Sequence, residues 1–157
     1  MLLKLALFFH ITAAVFWIGG MLFLTLVVVP YLKTIPDPAD RSRIYQVVGT
    51  KFRFYGWIAV ITLLITGPLV LYKLYGILPQ EIFRASFHST RFGMALGAKL
   101  VLVFIIVASS LVHDFFLGPK AKTSPKYSML ARIFGRSNLI IAIFIVVLAV
   151  ILRAGGF

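Results

Sequence analysis

The sequence predicts an all-α integral membrane protein with four transmembrane helices packed as a bundle. Of the 157 residues, 61% are hydrophobic and 13% are charged, whereas soluble domains are about half apolar and about a quarter charged. The mean hydropathy is +1.04, and runs of roughly 18 or more apolar residues, long enough to cross a hydrocarbon core, recur along the chain. We therefore interpret residues 1–157 as a single transmembrane domain.

Four apolar runs mark the predicted spans. The first begins after Lys4 and continues for roughly 25 residues, well beyond the 7–15 residues of a signal-peptide core. We interpret it as a retained helix rather than a cleaved signal. The predicted spans are residues 5–29, 55–75, 92–117 and 138–152.

The distribution of basic residues predicts the orientation. Four spans place both termini on one side of the membrane, here called the terminal side. Loops 30–54 and 118–137 then lie on the other side, the loop side, and contain ten of the 16 Lys and Arg residues. Because cytoplasmic loops are enriched in Lys and Arg, we expect the loop side to be cytoplasmic and the termini to be outside. The net charge of +12 then requires no nucleic-acid partner.

Three short amphipathic helices are predicted between the spans. Pro38 fits the first position of one helix, and apolar residues follow it at helical spacing. Pro125 begins a similar element on the loop side, and Pro79 begins one on the terminal side. We expect all three to lie at the membrane interface, where basic side chains attract anionic lipid.

Polar side chains within the spans are the candidate functional residues, because an ionisable group in a bilayer is costly. His10 lies in the first span, and Trp17 and Gly20 share its helical face. Small residues on such a face permit close approach of a helix or a cofactor. His10 is therefore either a neutral histidine bonded to a neighbouring helix or the ligand of a bound group.

The third span begins with Gly93 and Gly97, which have the spacing of a close helix–helix contact. Lys99 follows them. It either snorkels to the interface or faces inward as a fixed cation. Each of His10 and Lys99 lies roughly 8–9 Å along its helix from the terminal-side end of its span, so we expect the two side chains at similar depth.

Two further features of the spans bear on a site: a polar pair at the end of the third span and a proline in the second. His113 and Asp114 close the third span, roughly 21 Å along the helix from Lys99, and we expect Asp114 to pair with an arginine there. In the second span the Thr-Gly-Pro sequence at 66–68 predicts a kink, because proline cannot donate to the carbonyl four residues earlier. That kink lies at the depth where a ligand cavity would form.

The residue inventory excludes several function classes. The chain has no cysteine, no hydrolase, P-loop or zinc-protease motif, and no pair of intramembrane carboxylates. Copper prefers thioether and imidazole ligands, and haem needs one or two axial ligands, an apolar slot and cations for its propionates. A copper site, a haem b site and an accessory subunit without cofactor all stay open. Candidate metal ligands are His10, His88, Met94 and His113; candidate cofactor contacts are His10, Trp17, Arg84, Arg91 and Lys99.

Several of these motifs resemble those of known families. Residues 10–20, H-x-x-A-A-V-x-W-I-G-G, resemble the first-helix signature of the copper resistance protein D family, and L-I-T-G at 64–67 resembles its second-helix motif. Residues 90–99, T-x-x-G-x-x-x-x-x-K, and 113–119, H-D-F-F-L-G-P, resemble the start and end of its next helix. The order of residues is also similar, more distantly, to the J-type protoporphyrinogen oxidase, a haem-associated membrane protein.

The first resemblance implies a bacterial inner-membrane protein for copper uptake or tolerance, and a binding protein rather than an enzyme. The second implies an alternative, a b-type haem protein in electron transfer or protoporphyrinogen oxidation. We predict a metal or haem pocket on the terminal side around His10. The lipid bilayer is the expected partner, and a homo-oligomer or a larger membrane complex stays open.

Overall fold

The computed structural model describes residues 1–121 and 123–157; Lys122, one of the predicted loop cations, lies outside the described residues. All regular secondary structure in these residues is helical. The predicted fold class, an all-α membrane protein with four spans, is confirmed. The helices long and apolar enough to cross a membrane are Leu2–Thr34, Pro38–Tyr75, Arg91–Lys120 and Pro125–Arg153.

Two of these spans contain a π-helical segment, and short helices lie between the second and third spans. The elements in chain order are α1 (Leu2–Phe23), a π segment (Leu24–Val28), α2 (Val29–Thr34), α3 (Pro38–Tyr75), a 3-10 helix (Pro79–Phe83), α4 (Ala85–His88), α5 (Arg91–Leu111), a second π segment (Val112–Leu117), α6 (Gly118–Lys120) and α7 (Pro125–Arg153).

The two interfacial helices predicted on the loop side are not separate elements. The helix that begins at Pro38 is the first part of α3, and the helix that begins at Pro125 is the first part of α7. No proline separates either amphipathic stretch from the apolar run that follows, so the backbone ladder continues. At 38 residues, α3 is roughly 57 Å long, almost twice the thickness of a hydrocarbon core. The segment that begins at Pro79 is separate from the spans, but it forms a 3-10 helix, Pro79–Phe83, and a short α-helix, Ala85–His88, instead of the single amphipathic helix predicted.

Both π segments precede a proline at the same spacing. The first ends at Val28, two residues before Pro30, and the second ends at Leu117, two residues before Pro119. A proline within a helix lacks its N–H and clashes with the carbonyl four residues earlier. The wider π turn relieves that clash, and each helix continues past its proline. The first span accordingly extends beyond its predicted end.

The described chain divides into two compact units, residues 1–70 and residues 71–157, here called the N-terminal unit and the C-terminal unit. In the N-terminal unit, aromatic rings of one helix lie on glycines of the other. The Trp17 ring lies against Gly56, and the Phe52 ring occupies the space that a Cβ at Gly20 would need. These glycines permit the close contact of α1 with α3.

The C-terminal unit has an apolar core and a buried polar cluster. Ala95 and Leu96 of α5 pack with Leu152 of α7. Elsewhere on these helices, Ser109 Oγ donates to Asn138 Oδ1 at 2.6 Å, and Asn138 Nδ2 donates to Ser110 Oγ at 3.2 Å. Because asparagine and serine hydrogen-bond across helices in apolar surroundings, this cluster joins α5 to α7. We name these three residues the Asn138 cluster.

Gly93 and Gly97 hold the loop that precedes α5. The carbonyl oxygen of Phe87 occupies the space of a Cβ at Gly93, and the His88 ring lies against Gly97. Thr90 fixes the junction, since its Oγ1 accepts from the Gly93 N–H at 2.9 Å and donates to the Phe87 carbonyl at 2.8 Å. The face of α5 at Gly93 and Gly97, predicted to contact another helix, is therefore in contact with the preceding loop.

Candidate functional site

His10 is joined to α3 by a side-chain hydrogen bond within the N-terminal unit. Its Nδ1 lies 2.8 Å from the Oγ1 of Thr66, a residue 56 positions further along the chain. His10 is half-buried, and Thr66 is 8% exposed. The expected contact of His10 with a neighbouring helix is present, and its partner is a threonine hydroxyl.

The hydrogen-bond directions determine which nitrogen of His10 carries the proton. The Thr66 hydroxyl has one proton and donates it to the Thr62 carbonyl at 2.6 Å. Its oxygen must therefore accept from His10, so Nδ1 is the donor. In the neutral imidazole the lone pair then lies on Nε2. The bond to Thr66 thereby fixes both the tautomer and the orientation of the imidazole.

The local sequence of α3 explains why Thr66 accepts from His10. Thr62 Oγ1 donates to the Ile58 carbonyl at 2.8 Å, and Thr66 Oγ1 repeats this bond one turn later. Threonine hydroxyls in apolar helices commonly bond back to the carbonyl four residues earlier. Both protons are thereby directed along α3, and the Thr66 oxygen faces His10 as an acceptor.

The Thr-Gly-Pro sequence that predicted a kink lies at His10. A Cβ at Gly67 would stand 3.5 Å from the Cε1 of His10, so the imidazole edge packs on the backbone there. Pro68 lies within α3 and has no N–H to give to the Leu64 carbonyl. The position predicted for the kink thus lies beside His10.

Trp17 lies two turns after His10 on α1, roughly 10 Å along the helix axis. Its ring is half-buried, and its Cδ1 would lie 3.6 Å from a Cβ at Gly56. The predicted cofactor contact at Trp17 therefore packs on α3 in this structure.

The remaining predicted residues belong to the C-terminal unit. His88 Nε2 donates to the Ile82 carbonyl at 2.6 Å, while its Nδ1 side faces Gly97. In this structure His88 therefore holds the loop on α5. Arg84, Arg91 and Met94 are exposed, and Lys99 is half-buried on α5.

His113 forms an ion pair with its neighbour at the other end of α5. His113 Nδ1 lies 2.7 Å from Asp114 Oδ1, and a Cβ at Gly135 of α7 would lie 3.8 Å from His113 Nε2. His113 is sixteen residues beyond Gly97, where His88 lies, or roughly 24 Å along the helix. The structure does not bring His88 and His113 together. Within the described residues, no three His, Asp or Glu side chains form a metal-binding group.

Thr66 is the site residue that the sequence analysis did not single out by itself. A threonine in an apolar helix is common, and its hydroxyl usually bonds within its own helix. The available signal was its position beside Gly67 and Pro68, where a break in the helix was expected.

Comparison with known proteins gives one full-length relative. No family model matches the chain, and no solved structure matches it. A protein of Aquifex aeolicus (strain VF5), described as an uncharacterized protein, is 39% identical over 153 residues, which cover 97% of this chain and 96% of the relative. The chain therefore belongs to the same family as this Aquifex aeolicus protein.

Proposed function

We propose that this membrane protein binds haem b through His10 and acts in electron transfer within the membrane. The observation that supports this is the hydrogen bond from His10 Nδ1 to Thr66, which fixes the tautomer and the orientation of an imidazole within the spans. Axial haem ligands are commonly histidines, and histidines that bind metals are oriented by such a bond. Haem bound there would supply one-electron redox chemistry.

The groups around His10 are of the kinds that a haem site needs. Thr66 would keep the imidazole in one tautomer and one orientation, as second-sphere partners do for metal-bound histidines. Trp17, two turns further along α1, would offer an aromatic ring. Arg84, Arg91 and Lys99, which the sequence predicted as cofactor contacts, belong to the C-terminal unit. The more distant resemblance implies an alternative in which the haem protein also oxidises protoporphyrinogen.

Copper handling is the second candidate, and the resemblance to the copper resistance protein D family favours it. A copper ion needs several imidazole or thioether ligands. The methionines of the N-terminal unit, Met1 and Met21, lie nine and eleven residues from His10, or roughly 13 and 16 Å along α1, too far to share an ion with it. A single axial ligand suits haem better, which is why we rank haem first.

We also propose a bacterial inner-membrane location with cytoplasmic loops at 30–54 and 118–137 and periplasmic termini. The excess of Lys and Arg in these loops supports this orientation. A reporter enzyme that is active only in the periplasm should be active when it is fused to the C-terminus. Activity of a reporter that works only in the cytoplasm, fused at the same place, would show the opposite orientation.

The haem proposal is tested on the detergent-solubilised protein, produced with haem precursor and copper supplied. We expect a Soret band with sharpened α and β bands on reduction in the wild type. His10→Ala should lose these bands, whereas His113→Ala, the matched control, should keep them. Circular dichroism would verify that both variants are helical.

Three results would overturn the proposal. Stoichiometric copper by elemental analysis in a protein without a Soret band would establish the copper candidate instead. A Soret band that survives in His10→Ala and disappears in His113→Ala would show that His113, not His10, holds the haem. Absence of both haem and copper from the helical wild type would favour the accessory subunit.

A further inference from the structure

An open groove runs between α1 and α3 in the N-terminal unit. Its volume is about 520 Å³. Apolar and aromatic side chains line it, together with two adjacent glycines and one charged residue. Its lining includes Phe16, Gly19, Phe23, Val48, Lys51 and Tyr55.

The groove exists because α1 has no side chain at Gly19. A Cβ at Gly19 would meet nothing within 4 Å, whereas the adjacent Gly20 is covered by the Phe52 ring. Phe16, Phe23 and Tyr55 are 46%, 56% and 55% exposed. The floor at Gly19 and these rings are therefore accessible from the surroundings, which for a spanning helix are lipid.

The one charged residue of the groove, Lys51, lies on its α3 wall between Val48 and Tyr55. Lys51 precedes the apolar run of α3, which begins near Tyr55, by about one helical turn. Lys51 is exposed, and the stretch 38–53 that contains it has four basic residues and one acidic residue. A basic residue at such a boundary stands at the level of the lipid headgroups. The groove is thus lined by apolar and aromatic residues and glycines, with a single cation where α3 meets the interface.

We propose that this groove binds one anionic phospholipid, with the phosphate at Lys51 and an acyl chain along Gly19. Basic pockets between transmembrane helices bind anionic headgroups in this way. The cation of Lys51 matches the headgroup phosphate, and the apolar lining matches the acyl chain. A free phosphate would meet only one lysine and would leave the lining uncovered. This proposal does not depend on a cofactor at His10.

The test uses the delipidated, detergent-solubilised protein with phosphatidylglycerol and phosphatidylcholine as probes, and native mass spectrometry to count bound lipid. The wild type should bind one phosphatidylglycerol about fivefold more tightly than phosphatidylcholine, as expected for one interfacial lysine. Lys51→Gln should abolish this preference. Gly19→Leu, whose Cβ would meet nothing within 4 Å, should place a side chain in the groove and weaken binding of both lipids.

Matched controls separate the groove from general surface effects. Gly49→Leu replaces another helical glycine that has nothing within 4 Å, and Lys33→Gln removes a cation outside the groove; both should bind lipid like the wild type. Retention of the preference in Lys51→Gln, or wild-type binding in Gly19→Leu, would overturn the proposal. So would preferential binding of a neutral isoprenoid quinone, added as a third probe. Haem retention should be unchanged in Lys51→Gln and Gly19→Leu, so failure here is distinguishable from failure at His10.

Discussion

The N-terminal and C-terminal units share a plan at the ends of their first spanning helices. Each has a π segment followed two residues later by a proline. The sequence P-x-x-K-T then occurs at residues 30–34 and again at 119–123. The threonine hydroxyl bonds to the carbonyl three residues earlier in both, at 2.7 Å for Thr34 and 3.2 Å for Thr123. The two helix ends are therefore alike in sequence, in the π segment and in the threonine bond, whereas the helix around the proline is longer in the first, Val29–Thr34 against Gly118–Lys120.

The equivalence extends into the spans. His10 lies twenty residues before Pro30 (residue 10 against 30), and Lys99 lies twenty residues before Pro119 (residue 99 against 119). An ionisable side chain thus occupies the same position in both first helices. In one unit it is an imidazole, which ligates metals, and in the other it is an ammonium group, which does not when charged.

The units differ in how their helices are joined by polar groups. In the C-terminal unit the Asn138 cluster links α5 to α7 with amide and hydroxyl groups. In the N-terminal unit the link from α1 to α3 is the bond of His10 to Thr66. Amides and hydroxyls hold helices together without changing charge, whereas an imidazole titrates near neutral pH and is a common metal ligand. We infer that the C-terminal link is structural and that the N-terminal link serves binding.

The largest expected effect is that of Thr66→Val on cofactor binding. Valine keeps the shape but removes the acceptor of the His10 Nδ1 proton, so the imidazole loses its fixed orientation. Loss of such a partner typically lowers metal affinity or activity 10–100-fold. Titration of the solubilised protein with haem, followed at the Soret band, measures the change.

Thr66→Ser is the matched control, because serine keeps the hydroxyl, and its affinity should stay close to that of the wild type. Equal affinities in Thr66→Val and Thr66→Ser would show that the bond does not orient a ligand, and the contrast between the two units would then fail.

A smaller effect is expected from Asn138→Leu, on stability rather than on binding. Leucine fills a similar volume but removes two hydrogen bonds between α5 and α7, and such bonds contribute about 0.6 kcal/mol on average in membrane proteins. We expect the free energy of unfolding to fall by about 1–2 kcal/mol, with haem affinity unchanged. Steric trapping in bicelles measures the unfolding free energy, and Val147→Leu on the exposed face of α7 is the control. A fall in haem affinity without loss of stability would give the Asn138 cluster a functional role.

The spans could be predicted from the sequence because the length of an apolar run is a direct measure of membrane crossing. His10 could be singled out as a candidate because a titratable residue in such a run is costly; its role as a ligand stays a prediction. The ends of the helices could not be predicted as well. Continuation of α3 from Pro38 through the apolar run depends on the absence of a break in the backbone, and hydropathy does not report that.

The partners of the predicted residues were not predictable for a different reason. Thr66 is 56 residues from His10, and a threonine in a helix carries no signal of a long-range bond. Gly93 and Gly97 have a spacing typical of helix contacts, but the Phe87–His88 segment lies on them. Spacing identifies a face that allows close approach and leaves open what approaches it.

The smallest expected effect concerns the equivalence of Thr34 and Thr123. Valine at either position removes one exposed hydroxyl-to-carbonyl bond and leaves the proline and the π turn intact, so each variant should change the free energy of unfolding by less than about 0.5 kcal/mol. Thr34→Val should have the slightly larger effect, since its bond is the shorter one. Unfolding of the two variants and of the double variant, in the same bicelles, measures both changes in free energy and tests whether they add.

Additive and nearly equal changes would mean that the prolines maintain the two helix ends and that the threonine bonds contribute little to either. A difference above about 1 kcal/mol, well outside the range for exposed positions, would show that one of these ends supports more of its unit than the other, and the shared plan would then not extend to their energetics.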